Sequence, residues 1–199
     1  MTRAGRRSSP AAAPKIARRS FALCADGSLR LCCIADTHSR PHETSAERIA
    51  ALAPDVILHA GDIGDLAVLD RFATIAPLVA VRGNIDAGAQ GLPDAAAITL
   101  TRAEAPVFGI WLTHIAVYGP TLRADVRRAA ERERCDLVVC GHSHVPFLSR
   151  PGSVAVFNPG SIGPRRFQLP ITLGVIEVGP SGVAMRHVDC ETGAPWSPR

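Results

Sequence analysis

Ile34-Ala35-Asp36-Thr37-His38 closes an apolar run that begins at Leu29, and its reading decides how the rest of the chain is understood. Alternate side chains of an extended segment point the same way, so Asp36 and His38 leave the strand end side by side, a carboxylate next to an imidazole. The same spacing returns in Cys140-Gly141-His142-Ser143-His144, after the apolar run from Asp136. Between the two lie Gly61-Asp62 after the run 55–60, Gly83-Asn84 after 77–82, and His114 after 107–113. Five strand ends therefore offer seven oxygen and nitrogen donors: Asp36, His38, Asp62, Asn84, His114, His142 and His144.

Working outward, a helix is expected from about Thr44 to Leu52, with Ile49 and Leu52 on one face and Pro54 behind it. A second is expected over 65–76, where Leu66, Leu69, Phe72 and Ala76 recur at helical spacing. Strands at 29–35, 55–60 and 78–81 alternate with these helices, the pattern of a parallel sheet whose ligands gather at the carboxyl ends of its strands. Upstream, Asp26-Gly27-Ser28 reads as a hairpin turn between 21–25 and 29–35. Downstream of the Gly/Ala/Pro-rich loop 86–95 come strands at 98–101 and 107–113 and a turn at Gly119-Pro120. Thr121 is placed to cap a helix running to Arg134, with Leu122, Val126 and Ala129 inside and a solvated face of arginines outside. Short runs at 146–149, 154–157, 171–178 and 183–188 suggest an antiparallel meander. The fold class is α/β, with two stacked sheets between helices.

Composition sets the boundaries. Residues 1–20 hold six basic side chains and no acid, and are read as a basic, disordered tail ahead of one domain spanning 21–190, with a C-terminal tail at 191–199. Taking those six from the 22 Lys and Arg leaves 16 against 18 Asp and Glu, so the positive balance belongs to the tail. Nucleic acid is then not expected as a partner except as substrate, because its binding wants positive charge on a folded face. No apolar run approaches the ~20 residues of a membrane helix. The six cysteines form no CxxC pair and fit reduced thiols of a cytoplasmic protein, in preference to organelle import through the Arg-rich start. Lys15 is the only lysine, which excludes a Walker-type phosphate loop and a Schiff-base mechanism from the folded part.

The donor set selects the chemistry. Imidazole, carboxylate and amide oxygen suit Mn²⁺, Fe or Zn²⁺, with no thiolate to close a structural zinc site. Asp62 stands centrally in the chain order and is the candidate bridge between two ions. Two ions ~3.5–4 Å apart can activate a shared water and clamp a phosphoryl oxygen during in-line attack. The expectation is a dinuclear phosphoesterase. His59 and His187 are expected to be packed histidines, and His42 a loop residue.

The ordered set Asp36-Thr-His38, Gly61-Asp62, Gly83-Asn84-Ile85-Asp86, Thr113-His114, Gly141-His142-Ser-His144 and Asn158-Pro-Gly-Ser161 resembles the calcineurin-like metallophosphoesterase superfamily. Within it, Asn158-Pro-Gly-Ser-Ile-Gly163 and the small size are similar to the compact prokaryotic phosphodiesterases, which share a fold with the phosphoesterase-like subunit of retromer. The resemblance implies a four-layer α-β-β-α sandwich of two mixed sheets flanked by helices. It implies one ion on Asp36, His38, Asp62 and His144, and another on Asp62, Asn84, His114 and His142. Asp62, Asn84 and His142 would be catalytic, with Asn84 and His142 steadying the phosphoryl oxygens of a small phosphodiester. The two divalent ions would be Mn²⁺, with Fe, Zn²⁺ or Ni²⁺ as alternatives.

Two departures from the family pattern bear on activity. Many relatives carry a histidine at the position of Ile85, where it protonates the leaving alkoxide; Ile85 can donate no proton, so activated diesters such as aryl esters are the expected substrates. Relatives usually place Gly where Ile115 follows His114. Asp86 is expected to orient Asn84 or to cap its loop, and His59 is a candidate to support a ligand. Arg165 and Arg166 are candidates to meet a substrate phosphate, Arg165 being the one assigned. The competing reading is a metal-binding or metal-free scaffold with this fold and negligible turnover; a homo-oligomer is compatible with either.

Overall fold

The structure is a computed structural model and describes residues 13–150 and 152–198. Its frame is two six-stranded sheets stacked face to face. In one, β2 (Leu29–Ile34), β3 (Val56–His59) and β4 (Leu78–Ala80) run parallel, alternating in the chain with α1 (Ser45–Ala51) and α2 (Ala67–Ala73). Antiparallel β12 (Thr172–Gly179), β13 (Gly182–Asp189) and β14 (Pro195–Trp196) extend it in the order β14-β13-β12-β2-β3-β4. The other has the order β1-β5-β6-β9-β11-β10. It is built from β1 (Ile16–Ala22), β5 (Ala95–Arg102), β6 (Ala105–Thr113), β9 (Leu137–Val139), β10 (Phe147–Ser149) and β11 (Ala155–Asn158). A small hairpin, β7 (Val117–Tyr118) and β8 (Thr121–Leu122), precedes α3 (Ala124–Arg132).

Side-chain alternation sorts the core into three layers. Leu29, Leu31, Cys33 and Ala35 point between the sheets, where they meet Leu58, Ile98, Leu112, Val139 and Phe157. Cys32 and Ile34, one residue out of phase, face Ile49 of α1 and Phe72 of α2. Trp111 and Val138 leave the other sheet outward to meet Val126 and Ala130 of α3. The order is helix, sheet, sheet, helix. At ~1.5–3 kcal/mol for each fully buried large apolar side chain, the inter-sheet layer is what holds the two strand systems in register.

The register places the ligand-bearing ends. Ile34 pairs with His59 and His59 with Ala80, so β2, β3 and β4 end together. Leu112 pairs with Val139 and Val139 with Phe157, so β6, β9 and β11 end together in the facing sheet. Asp36 N–H donates to Gly61 O at 2.9 Å and Gly141 N–H to His114 O at 3.0 Å, extending the ladders just past the last residues of the strands.

Several expectations are corrected. The basic tail read as ending at Ser20 does not, because Ile16–Ala22 form β1, paired in parallel with β5 along its whole length; residues 1–12 lie outside the described residues. With β1 and β2 in different sheets, Asp26-Gly27-Ser28 is a turn between sheets and not a hairpin. Asp65 Oδ1 accepts the Ala67 N–H at 3.0 Å and delays the start of α2, which leaves Leu66 exposed and buries Val68. Thr121 belongs to β8, so α3 starts later, after Arg123. The supposed meander is divided, β10 and β11 joining one sheet and β12 and β13 the other. The C-terminal tail also contributes a strand, β14.

Candidate metal centre

Asp36, His38 and His144 bring one donor atom each to within 4.8 Å of one another, and Asp62, His114 and His142 form a second such triad. Asp62 connects them. Its Oδ1 lies 3.3 Å from His114 Nε2 and its Oδ2 lies 3.8 Å from His38 Nε2. In the first triad His38 Nε2 and His144 Nε2 are 3.2 Å apart, and His144 Nε2 is 3.5 Å from Asp36 Oδ1. Asn84 follows Gly83 on the exposed wall of a cleft that it shares with His114. The structure thus brings six of the seven expected ligands into two clusters and sets Asn84 at their edge.

The loops are bent to achieve this. Asp36, His38, Asp62, His142 and His144 all have positive φ, between 46° and 70°. Left-handed backbone costs a non-glycine residue about 1–2 kcal/mol, so the site stores strain that the flanking sheets must hold. Gly83 is required by close approach, since a Cβ there would collide with Asp62 N and Oδ1.

Further hydrogen bonds aim the ligands. His142 N–H donates to both oxygens of Asp36, at 3.2 and 3.0 Å, tying the two Asp/His motifs together across the sandwich. His114 Nδ1–H donates to Ala60 O at 2.7 Å, which leaves the buried Nε2 as a lone pair without a hydrogen-bond partner. That is the posture of a metal-binding imidazole. His59 accepts the Gly61 N–H at Nδ1 (3.2 Å), so its Nε2–H faces Thr37 Oγ1 at 3.1 Å, and the hydroxyl donates to Ile63 O at 3.0 Å. One buried histidine therefore fixes the residue between Asp36 and His38 and the glycine before Asp62. Asp86 accepts N–H groups from Ile63, Gly64 and Gly83 and so caps the loops bearing Asp62 and Asn84. Asn158 Nδ2 donates to Gly141 O at 2.8 Å, and Ser161 Oγ donates to Asp36 O at 3.1 Å. The Asn-Pro-Gly-Ser segment thus braces both Asp/His motifs. His187 is a packed residue, its Nε2–H donating to Asn158 O at 2.8 Å, and His42 bonds Thr44 at the start of α1.

Electrostatics fit cation binding. Burial pushes Asp36 up to about 7, against the pull of His114 and the His142 N–H. Burial also raises Asp62, but His114 3.3 Å away, with the Ile85 N–H and His38, outweighs it and holds that carboxyl well below its usual range. Burial lowers His38 and His142, and takes His144 down to about 4 with Arg166 and His38 adding to the effect. Burial would lower His114 too, but Asp62 and Asp36 beside it raise it overall. The imidazoles of His38, His142 and His144, kept neutral by burial beside the Asp36 and Asp62 carboxyls, make a donor set for divalent cations.

Arg165 is corrected as the substrate contact: its guanidinium pairs with Glu191 and donates to Leu169 O at 2.7 Å, away from the site. Arg166 is the arginine at the site, with Nη2 3.1 Å from His38 Nε2. The sequence offered both arginines and nothing to choose between them. Phe167 beside it is 93% exposed. Ile85 is half exposed, and its N–H donates to Asp62 Oδ1 at 3.1 Å. Ile115 lines the same cleft as Asn84.

The sequence model of the calcineurin-like phosphoesterase superfamily domain matches residues 29–180. A probable metallophosphoesterase of Methanocaldococcus jannaschii is 28% identical over 151 residues, 74% of this chain and 76% of that protein. Among solved structures, the vacuolar protein sorting 29 of Entamoeba histolytica in complex with Zn²⁺ shares the fold with a TM-score of 0.64 at 20% identity, over 84% of this chain and 96% of that one. A novel archaeal phosphodiesterase does so with a TM-score of 0.60 at 17% identity, over 81% of this chain and 99% of that one.

Proposed function

The chain belongs to the calcineurin-like phosphoesterase superfamily, and on that footing we propose that it hydrolyses phosphodiesters at a centre of two divalent ions. The observation that carries the reading is the placement of Asp62, one oxygen toward His114 of one triad and the other toward His38 of the second. Asp36, His38, Asp62 and His144 would hold one ion, and Asp62, Asn84, His114 and His142 the other. Mn²⁺ is the proposed metal, with Fe, Zn²⁺ or Ni²⁺ compatible with the same donors. When bound, two such ions lower the pKa of a shared water and neutralise charge on the phosphoryl oxygens.

The protein's own groups do the rest. Asn84 and His142, the exposed members of the set, face the open side and orient the phosphoryl oxygens. Arg166 adds a guanidinium that a phosphate can engage with two parallel hydrogen bonds. Asp86, His59 and Asn158 keep the loops from relaxing out of their left-handed conformations. Ile85 stands where a proton donor would serve a poor leaving group, which supports a preference for aryl diesters. A metal-free scaffold has no use for a buried, unpartnered His114 Nε2 or for five strained ligand residues, and a metal-binding scaffold is set apart by the absence of turnover.

The test is steady-state hydrolysis of bis(p-nitrophenyl) phosphate and p-nitrophenyl phosphate with added Mn²⁺. The expected result is faster turnover of the diester, with Arg166→Gln lowering kcat/KM at least tenfold and Arg165→Gln less than threefold. Faster monoester turnover, or equal effects of the two substitutions, would overturn the assignment.

A further inference from the structure

The cleft that begins at Asn84 and His114 has a volume of about 630 Å³ and runs along α3 toward β1. Four arginines line it: Arg82, Arg123, Arg128 and Arg132. Two are neutralised by the acids that share the cleft, Arg82 by Asp94 at 2.5 Å and Arg123 by Asp125 at 2.8 Å. Arg128 and Arg132 have no ion-pair partner among the described residues. Of the two acids that flank Arg132 in sequence, Glu133 is paired with Arg18 of β1 at 2.7 Å, and Glu131 forms no ion pair among the described residues.

Arg128 and Arg132 stand one helical turn apart, where like charges repel and destabilise a helix. Both are exposed, and neither side chain is needed by the core under α3, which Val126 and Ala130 supply. The result is a wall with two guanidinium groups free of direct ion pairs among the described residues, continuous at one end with residues of the metal centre. Guanidinium forks match phosphate oxygens in charge and in geometry.

Resting on the diesterase reading, we propose that Arg128 and Arg132 form a subsite for a second phosphate of the substrate, so that the preferred diester carries a further phosphate on the α3 side of the scissile one. That phosphate comes either from the end of a nucleotide or from the next internucleotide link of a short strand. Three ligands separate these sources: dTpdT, with the scissile phosphate alone; pdTpdT, with an added terminal phosphate; and dTpdTpdT, with an added internal one.

Binding of each is measured by calorimetry to the full-length protein freed of metal by a chelator, and kcat/KM is measured with Mn²⁺. The expected result is at least tenfold tighter binding of one or both two-phosphate ligands than of dTpdT, with a steeper loss of affinity as salt rises. In the double variant Arg128→Gln/Arg132→Gln the advantage falls below threefold, whereas Arg128→Lys/Arg132→Lys retains part of it. A terminal phosphate as the source favours pdTpdT, and an internal one favours dTpdTpdT. Equal binding of all three ligands to the native protein, or an advantage that survives the glutamine pair, overturns the subsite. Selective binding without hydrolysis of any diester would leave the subsite standing and remove the diesterase reading. Hydrolysis indifferent to the second phosphate would do the reverse.

Discussion

At the scale of single residues, the account turns on what each side chain offers at the ends of strands. Ile85 is the clearest case, since its backbone N–H holds Asp62 while its side chain, half exposed at the open side, can donate nothing. General acid catalysis is worth roughly 10²–10⁴-fold. Ile85→His is therefore expected to raise kcat for diesters with alkyl leaving groups by at least tenfold and to change p-nitrophenyl release by less than threefold. Equal effects on both leaving groups would show that proton donation does not limit the reaction. The ligand types were legible in the sequence because each directly follows or flanks the end of an apolar run, where a polar side chain has no core to enter. Arg166 was not, because two adjacent arginines differ only in the loop path that sends one to Glu191 and the other to His38. His59 was legible only as a choice between packing and ligand support. A histidine within a buried strand looks the same in sequence whether it merely packs or pins two ligand loops through its ring nitrogens.

Elements were legible where alternation was clean and obscure where charge masked it. Leu29–Ile34 and Val56–His59 announce themselves as buried strands. Ile16-Ala-Arg-Arg-Ser-Phe-Ala22 does not, because Arg18 and Arg19 give it the look of a solvated tail. In the fold it is an edge strand: Ala17 and Phe21 face the inter-sheet core, and Arg18 reaches Glu133 at the end of α3. β14 escaped notice for another reason, being only two residues long, at the edge of the sheet beside β13. The correction at β1 has a direct consequence. Deleting residues 1–22 strips β5 of its neighbour and uncovers an apolar edge, an open template for association between chains. The truncated protein is expected to melt at least 5 °C below the full chain and to aggregate on heating. An unchanged melting temperature would mean that β1 contributes nothing to the folded state.

For the molecule as a whole, the two sheets buttress a centre that is costly to assemble, and pH exposes that cost. Burial takes His59 down to about 3 from 6.5, so the folded protein keeps it neutral while the unfolded chain takes up a proton. Its contribution to stability is complete above pH 6.5, shrinks as pH falls below that value, and is lost on passing through about 3. Asp36 has the opposite sign. With a folded value near 7 against 3.8 unfolded, its contribution is complete below 3.8 and is lost as pH rises through about 7. Between pH 3.8 and 6.5 these two slopes oppose each other, and His38, His142, His144 and His187, all lowered by burial, tip the balance. Urea unfolding of the metal-free protein should therefore show stability falling on the acid side, by up to about 1.4 kcal/mol per pH unit for each histidine not offset. His59→Gln should flatten that limb, and an unaltered slope would show that His59 does not remain neutral in the fold.

The proposed activity depends on two cations sharing Asp62. Titration of the metal-free protein with Mn²⁺ by calorimetry, checked by elemental analysis after desalting, tests it most directly. The expected result is two ions per chain in the native protein, with tight binding at both sites lost together in Asp62→Ala because each site draws on that carboxylate. A single ion, none, or one site left intact after Asp62→Ala would contradict the dinuclear centre.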